Sequence, residues 1–190
     1  MTLLILGVLI WAFAHWLKRL APALRASMTD KMGEGSKGVI TAALILSIVL
    51  MVVGYRSADF IAVWYPPSFF GHINNLLMLL AFYVFGASAA KPAKVWLGTK
   101  IRHPQLTAVK IWAIAHLLAN GDLASIILFG GMLAWAVISV IMINRAEGPW
   151  TPPAQAPAKK EIVLLVITLV LFTVVAGIHV MLGVSPFGGV

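Results

Sequence analysis

The sequence predicts an all-α fold: a polytopic membrane helix bundle of six transmembrane helices, with both termini on the outer side. Three observations carry this reading. The 190-residue chain is 61% hydrophobic and 11% charged, with mean hydropathy +0.98, whereas a soluble domain is about 45–50% apolar and about 25% charged. Six apolar runs occupy residues 2–20, 39–55, 73–90, 105–119, 123–143 and 162–183, and a bilayer core takes roughly 17–25 helical residues. The basic residues fall between these runs, mostly in alternate connections.

The first run is read as a retained helix with its N-terminus outside. Ala12-Phe13-Ala14 looks like a signal-peptidase site, but no base precedes the run and Lys18-Arg19 follow it, the reverse of a signal peptide's polarity. Pro66-Pro67 closes the approach to the third run. The fourth run is short, about 22 Å of helix. Pro104 suits its first turn, where a missing N–H costs nothing. Asn120-Gly121 reads as its stop and Asp122 as the N-cap of the fifth, making a tight helical hairpin. Residues 151–158, rich in proline, form a semi-rigid extended linker before the sixth. The domain reading is a membrane domain over 1–145, a Pro-rich linker over 146–161 and a final helix over 162–184 on the same bundle. The runs show no internal repeat.

The first connection carries Lys18, Arg19, Arg25, Lys31 and Lys37, the third Lys91, Lys94, Lys100 and Arg102, and the fifth Arg145, Lys159 and Lys160. The second has only Arg56 and the fourth has no base. By the positive-inside rule the odd connections are cytoplasmic. The net charge of +8 therefore reads as topology, not as a nucleic-acid surface. The absence of cysteine excludes disulfides, thiolate ligands and thiol catalysis.

Polar chemistry narrows to histidine. His72 and His179 fall near outer helix ends and His103 at an inner helix start, where interfacial or capping roles suffice. His15 and His116 sit deeper, in Trp11-Ala12-Phe13-Ala14-His15 and Trp112-Ala113-Ile114-Ala115-His116. An ionisable ring inside a span is costly and marks a functional site by default. Each is also readable as a ring hydrogen-bonded to a neighbouring helix's carbonyl. By rise per residue the two differ in depth by about 6–8 Å, which permits a shared ligand without selecting one. Zinc wants four protein ligands. A porphyrin supplies four nitrogens itself, so two imidazoles complete its iron. Trp11 and Trp112 would line such a ring, and Lys110, Arg102 or Arg19 would meet its propionates. Lys110 is equally readable as a snorkelling residue. Asn120 shares the face of His116.

The stretch Arg102-His103-Pro104-Gln105-Leu106-Thr107, then Lys110 to Ser125, then Leu128-Phe129-Gly130-Gly131, closely resembles the NnrU family of membrane proteins linked to denitrification. Distant members are the 15-cis-zeta-carotene isomerases. Helix one with His15 matches less distinctively, and the resemblance covers roughly residues 1–145. It implies haem b held between two membrane histidines, which fall on His15 and His116. The isomerases carry a cysteine three residues before the second histidine; here that position is Ala113, so a thiol-exchange mechanism has no counterpart.

The resulting expectation is a multi-pass protein of the bacterial cytoplasmic (inner) membrane that binds haem b and supports nitrite or nitric oxide metabolism. Expected partners are the lipid bilayer, haem and a nitrite or nitric oxide reductase or a membrane-dissolved substrate; nucleic acid is not among them. Two alternatives stay open: a haem-dependent cis-trans isomerase of a membrane polyene, and a cofactor-free assembly factor for a reductase.

Overall fold

The computed structural model describes residues 1–89 and 93–187. Their regular structure is helical, apart from two isolated β-bridges. The helices are α1 Thr2–Leu20, α2 Pro22–Met32, α3 Gly35–Arg56, α4 Phe70–Gly86, α5 Pro104–Ala119, α6 Leu123–Glu147 and α7 Ala158–Met181. Inside α6 the residues Ile126–Gly130 form a π turn. A 3₁₀ turn, Trp96–Thr99, lies between α4 and α5.

Helices α1, α3, α6 and α7 are long and apolar enough to cross a membrane. The other two expected spans are shorter: α4 has 17 residues and α5 has 16, about 26 and 24 Å of rise against a hydrocarbon core of about 30 Å. The short α5 was visible in the sequence. The run at 73–90 promised a longer helix than α4 provides. The helix starts earlier, at Phe70, and ends at Gly86, where the Ser88 hydroxyl turns back to the Phe85 carbonyl at 2.8 Å, a local bond that competes with helix continuation. Ala90 of that run and Lys91 of the next connection lie outside the described residues.

The first connection is not a plain loop. Pro22 sits at the start of α2, a short polar helix with no buried residue. Its apolar residues have no helical period, so nothing in the pattern lifts it out of a basic connection.

The main contacts run in the order α3, α1, α6, α5, α4, α7, with α2 against α1 and α3. Residue pairs fix the directions. A Cβ on Gly54 would stand 2.3 Å from the Leu4 nitrogen, and one on Gly7 2.8 Å from the Met51 nitrogen, so α1 and α3 are antiparallel and nearly backbone to backbone. Small residues permit this approach where no hydrophobic force drives apolar helices together. α1 and α6 run parallel: Gly131 meets Val8, Trp11 meets Trp135, and the Trp16 indole donates to Ser139 Oγ at 2.8 Å. α5 runs the other way along α6, with His103 Nε2 2.9 Å from Asn144 Oδ1 and Trp112 against Phe129. α7 lies antiparallel to α4, with Leu164 beside Gly86 and Asn75 Nδ2 donating to the Pro186 carbonyl at 2.8 Å.

One core cluster forms where α1, α3 and α6 meet, around Leu4, Ala12, Met51, Met132, Trp135 and Ala136. A smaller one joins Ala87, Val95 and Leu164. At the flanks, Ile45, Val49 and Val52 of α3 and Val166, Leu169 and Val170 of α7 are exposed. Hydrocarbon suits such faces, and helices satisfy their own backbone within it.

The basic connections gather at one end of the bundle. Glu147 accepts from Arg19 at 3.3 Å and Arg102 at 3.4 Å, and Arg102 also donates to the Gly148 carbonyl at 2.5 Å. The Pro-rich linker is anchored there: Lys94 N donates to the Ala154 carbonyl at 2.9 Å, and Ala156 N to the Lys94 carbonyl at 2.6 Å.

At the opposite end Asp122 caps α6, accepting from Ser125 N at 2.9 Å. Gly121 does not serve as a left-handed helix stop. It is glycine because a Cβ would fall 1.9 Å from the Trp64 carbonyl oxygen, where Val63 N and Trp64 N bond the Gly121 carbonyl.

Replacing Gly54 with valine should force α1 off α3 and lower stability by about 1–3 kcal/mol or more. Gly177→Ala, where a Cβ meets nothing within 4 Å, should be neutral or slightly stabilising. Thermal unfolding of the two variants in detergent checks this, and equal melting temperatures would contradict the close α1–α3 approach.

Candidate functional site

The two deep histidines are built alike. His15 Nδ1 lies 2.8 Å from the carbonyl oxygen of Trp11, and His116 Nδ1 lies 2.9 Å from that of Trp112. A carbonyl only accepts, so Nδ1 carries the proton in each ring. That leaves Nε2 with a lone pair, the form that ligates a metal. Each tryptophan also packs on its own histidine, with centroids 4.3 Å apart for Trp11–His15 and 5.4 Å for Trp112–His116. The pentapeptide Trp-Ala-X-Ala-His thus occurs at 11–15 and 112–116. This short internal repeat was legible in the sequence, contrary to the expectation of none, and its two copies share one hydrogen-bond pattern.

Both copies flank α6. His15 bears on Trp135 at 4.9 Å, whereas His116 stacks on Phe129 at 4.5 Å and 27°. Phe129 belongs to the π turn of α6. A π turn inserts one residue per turn and re-aims the side chains it carries, often at functional sites. The turn leaves Phe129 in contact with His116, Trp112 and Tyr55 at once. Trp135 and Phe129 are six positions apart, about 9 Å along the axis.

The directions of the helices narrow this gap. A helical side chain leans toward the N-terminus of its own helix. Because α1 and α5 run oppositely along α6, His15 and His116 lean toward each other in depth. Each bond back to the carbonyl one turn earlier holds its ring in that lean. His15 is exposed and His116 is partly covered.

The remaining site candidates divide. Trp11 is partly buried on Trp135, and the indole nitrogens of both lack a partner among the described residues. Trp112 packs on Phe129. Asn120 Nδ2 donates to the His116 carbonyl at 2.8 Å, capping α5 beneath the ring rather than touching it. Arg102 and Arg19 are engaged with Glu147. Lys110 has no hydrogen-bond or ion-pair partner among the described residues, but six residues from His116 it points roughly 120° away around α5. Ala113, at the isomerases' cysteine position, is fully buried.

The other histidines sit near helix ends, as the sequence places them. His103 stands at the N-cap of α5, but its side chain makes no cap bond; its Nε2 meets Asn144. His179 Nδ1 bonds the Val175 carbonyl at 2.8 Å. His72 lines a cavity of about 240 Å³ with Ser68, Phe69 and Phe187. Among the described residues, no three histidine, aspartate or glutamate side chains gather as a metal site.

A polar chain lies behind the site. Tyr55 OH is 2.8 Å from Ser125 Oγ, which donates to Asp122 Oδ2 at 2.5 Å. Ser125 is fully buried. The Tyr55 ring also contacts Phe129 at 6.4 Å. The start of α6, its π turn and α3 are thereby locked together.

A family model described as NnrU protein matches residues 3–186. The match therefore takes in the Pro-rich linker and α7, beyond the 1–145 covered by the sequence resemblance. No curated protein and no solved structure matches.

Ser125→Ala should cost about 1–3 kcal/mol, because it strands the Tyr55 hydroxyl in the interior. Tyr55→Phe added to it should recover part of that loss. A double-mutant cycle on thermal unfolding reads the coupling; strictly additive effects would mean that the two hydroxyls do not interact.

Proposed function

Because the chain belongs to the NnrU family, we propose that it is a haem b protein of the bacterial cytoplasmic membrane, with His15 and His116 as axial ligands. In this reading it serves nitrite or nitric oxide metabolism, the role that the family resemblance implies. The observation that supports it most is the matched pair of Trp-Ala-X-Ala-His segments. Each presents an imidazole with Nδ1 bonded to a carbonyl and Nε2 available.

The residues present fit the group. Two neutral imidazoles are what a porphyrin iron lacks, and His15 and His116 would hold it. The opposed lean of the two rings turns them toward a common partner. Trp11, Trp112, Phe129 and Trp135 supply apolar walls. The partnerless indole N–H groups beside His15 are orphans of the kind that a ligand with acceptor atoms relieves. For a propionate, Lys110 has no other partner among the described residues but points away from His116, whereas Arg102 and Arg19 would have to loosen Glu147.

When bound, haem would supply one-electron chemistry and a position for a small ligand such as nitric oxide. The chain's own contribution is to fix the imidazole tautomers, orient both rings and exclude water with aromatic side chains. His15 is the more exposed of the pair and lacks the stacking partner that His116 has in Phe129. With the basic end in the cytoplasm, both chain ends lie on the other side.

Protein purified from cells supplied with haem should show a Soret band. His15→Ala and His116→Ala should each reduce bound haem at least about tenfold, the scale on which even outer-sphere changes act at metal sites. His179→Ala should leave haem content intact. A colourless wild-type protein, or full haem in both alanine variants, would overturn the proposal.

A further inference from the structure

The basic end holds a cavity of about 360 Å³ that the histidine site does not use. Lys94, Arg102, His103 and Trp150 line it, with Ile101 and Leu106 among its apolar members. We propose that this cavity binds the phosphate of an anionic phospholipid headgroup, with its acyl chains leaving along the helices.

Charge is the first argument. Arg19 and Arg102 share the single carboxylate of Glu147. The Lys94 ammonium is held by the Ser88 carbonyl, a neutral acceptor. Among the residues that line the cavity, Lys94 and Arg102 are cations and none is a carboxylate, so the lining carries a positive surplus. An oxyanion answers such a surplus, with Lys94 as a point charge and Arg102 donating through the N–H groups that Glu147 and the Gly148 carbonyl do not use.

Construction is the second argument. Lys94 is clamped on both sides of its peptide by the Pro-rich linker, through Ala154 and Ala156. Its neighbour Trp96 donates its backbone N–H to Glu161 Oε2 at 3.1 Å. His103 is fixed by Asn144. The cations therefore sit on braced backbone, and little ordering entropy is left to lose on binding. The first turn of α5 lines the same space through Pro104, Gln105 and Leu106.

Position decides between a lipid and a soluble phosphate. The cavity lies at the end of apolar helices, and Ile101, Leu106 and Ile143 line it beside the cations. A free phosphate gains nothing from that wall. A headgroup with glycerol and the start of its chains does, and Trp150 is the amphipathic ring that favours such a boundary. Basic pockets between helices on the cytoplasmic side are a known recipe for anionic headgroups. The inference does not depend on haem.

The test is native mass spectrometry of the full chain, titrated with phosphatidylglycerol, with phosphatidylcholine and with inorganic phosphate. Phosphatidylglycerol should bind at least about fivefold more tightly than phosphatidylcholine, and high salt should erode the preference. Lys94→Gln should lose about fivefold, the worth of one cation near a charged membrane surface. Lys94→Arg should keep the preference, which separates charge from folding. Arg145→Gln, exposed and outside the cavity, should change nothing. Equal binding of the two lipids, or a preference untouched by Lys94→Gln, would overturn the proposal. Inorganic phosphate displacing the lipid with comparable affinity would also overturn it, in favour of a soluble anion.

Discussion

The bond from an imidazole Nδ1 to the carbonyl one helical turn earlier is the interaction on which the candidate site depends. Inside apolar helices a polar side chain has few partners, and water is not one of them. His15, His116 and His179 all take the same solution. Ser47 and Thr173 do likewise, donating to Leu44 and Leu169. For a hydroxyl this merely satisfies a donor. For histidine it has chemical content, because it sets the tautomer and turns the other nitrogen outward. A ring that reached across to a neighbouring helix's carbonyl, the other reading of the sequence, would have spent its proton on packing and lost its freedom to face a partner.

That local bond acquires meaning only because α6 holds two helices in opposite directions. The means are small residues and a few long-range polar contacts. Gly131 admits Val8, and the Trp16 indole finds Ser139. Further along, Glu147 reaches both Arg19 and Arg102. These ion pairs are partly exposed, and exposed pairs contribute little stability. Their worth is geometric: one carboxylate fixes the register of α1 and α5 against the same point on α6. The π turn at the other end does a complementary job, carrying Phe129 to His116. The register is pinned at both ends, and the histidines lie between the pins.

Much of the fold was legible because hydropathy and helix punctuation are local signals. Pro104 and Asp122 stand where sequence analysis put them, at the starts of α5 and α6. The polar α2 was missed since it buries nothing and has no period to detect. The extra turn in Ile126–Gly130 has no sequence signature in a run that is apolar throughout. Gly121 was rightly tied to a turn for the wrong reason: its need is set by Trp64, more than fifty residues away. The same holds for Arg102, which is free in sequence and engaged in space. His15 and His116 were legible as buried polar residues. Their likeness was hidden because the repeat unit is only five residues long and its copies are a hundred residues apart.

Two matching pentapeptides, alike but for Phe13 and Ile114, on antiparallel helices make a local pseudo-twofold arrangement, and its consequence is physical. If α1 and α5 ran in the same direction, the two imidazoles would lean the same way and their depth difference would persist. Running oppositely, each lean subtracts from the gap. The symmetry is not complete: Trp135 meets His15 edge-on, whereas Phe129 lies nearly flat on His116. That inequality originates in the π turn, which carries Phe129 onto His116.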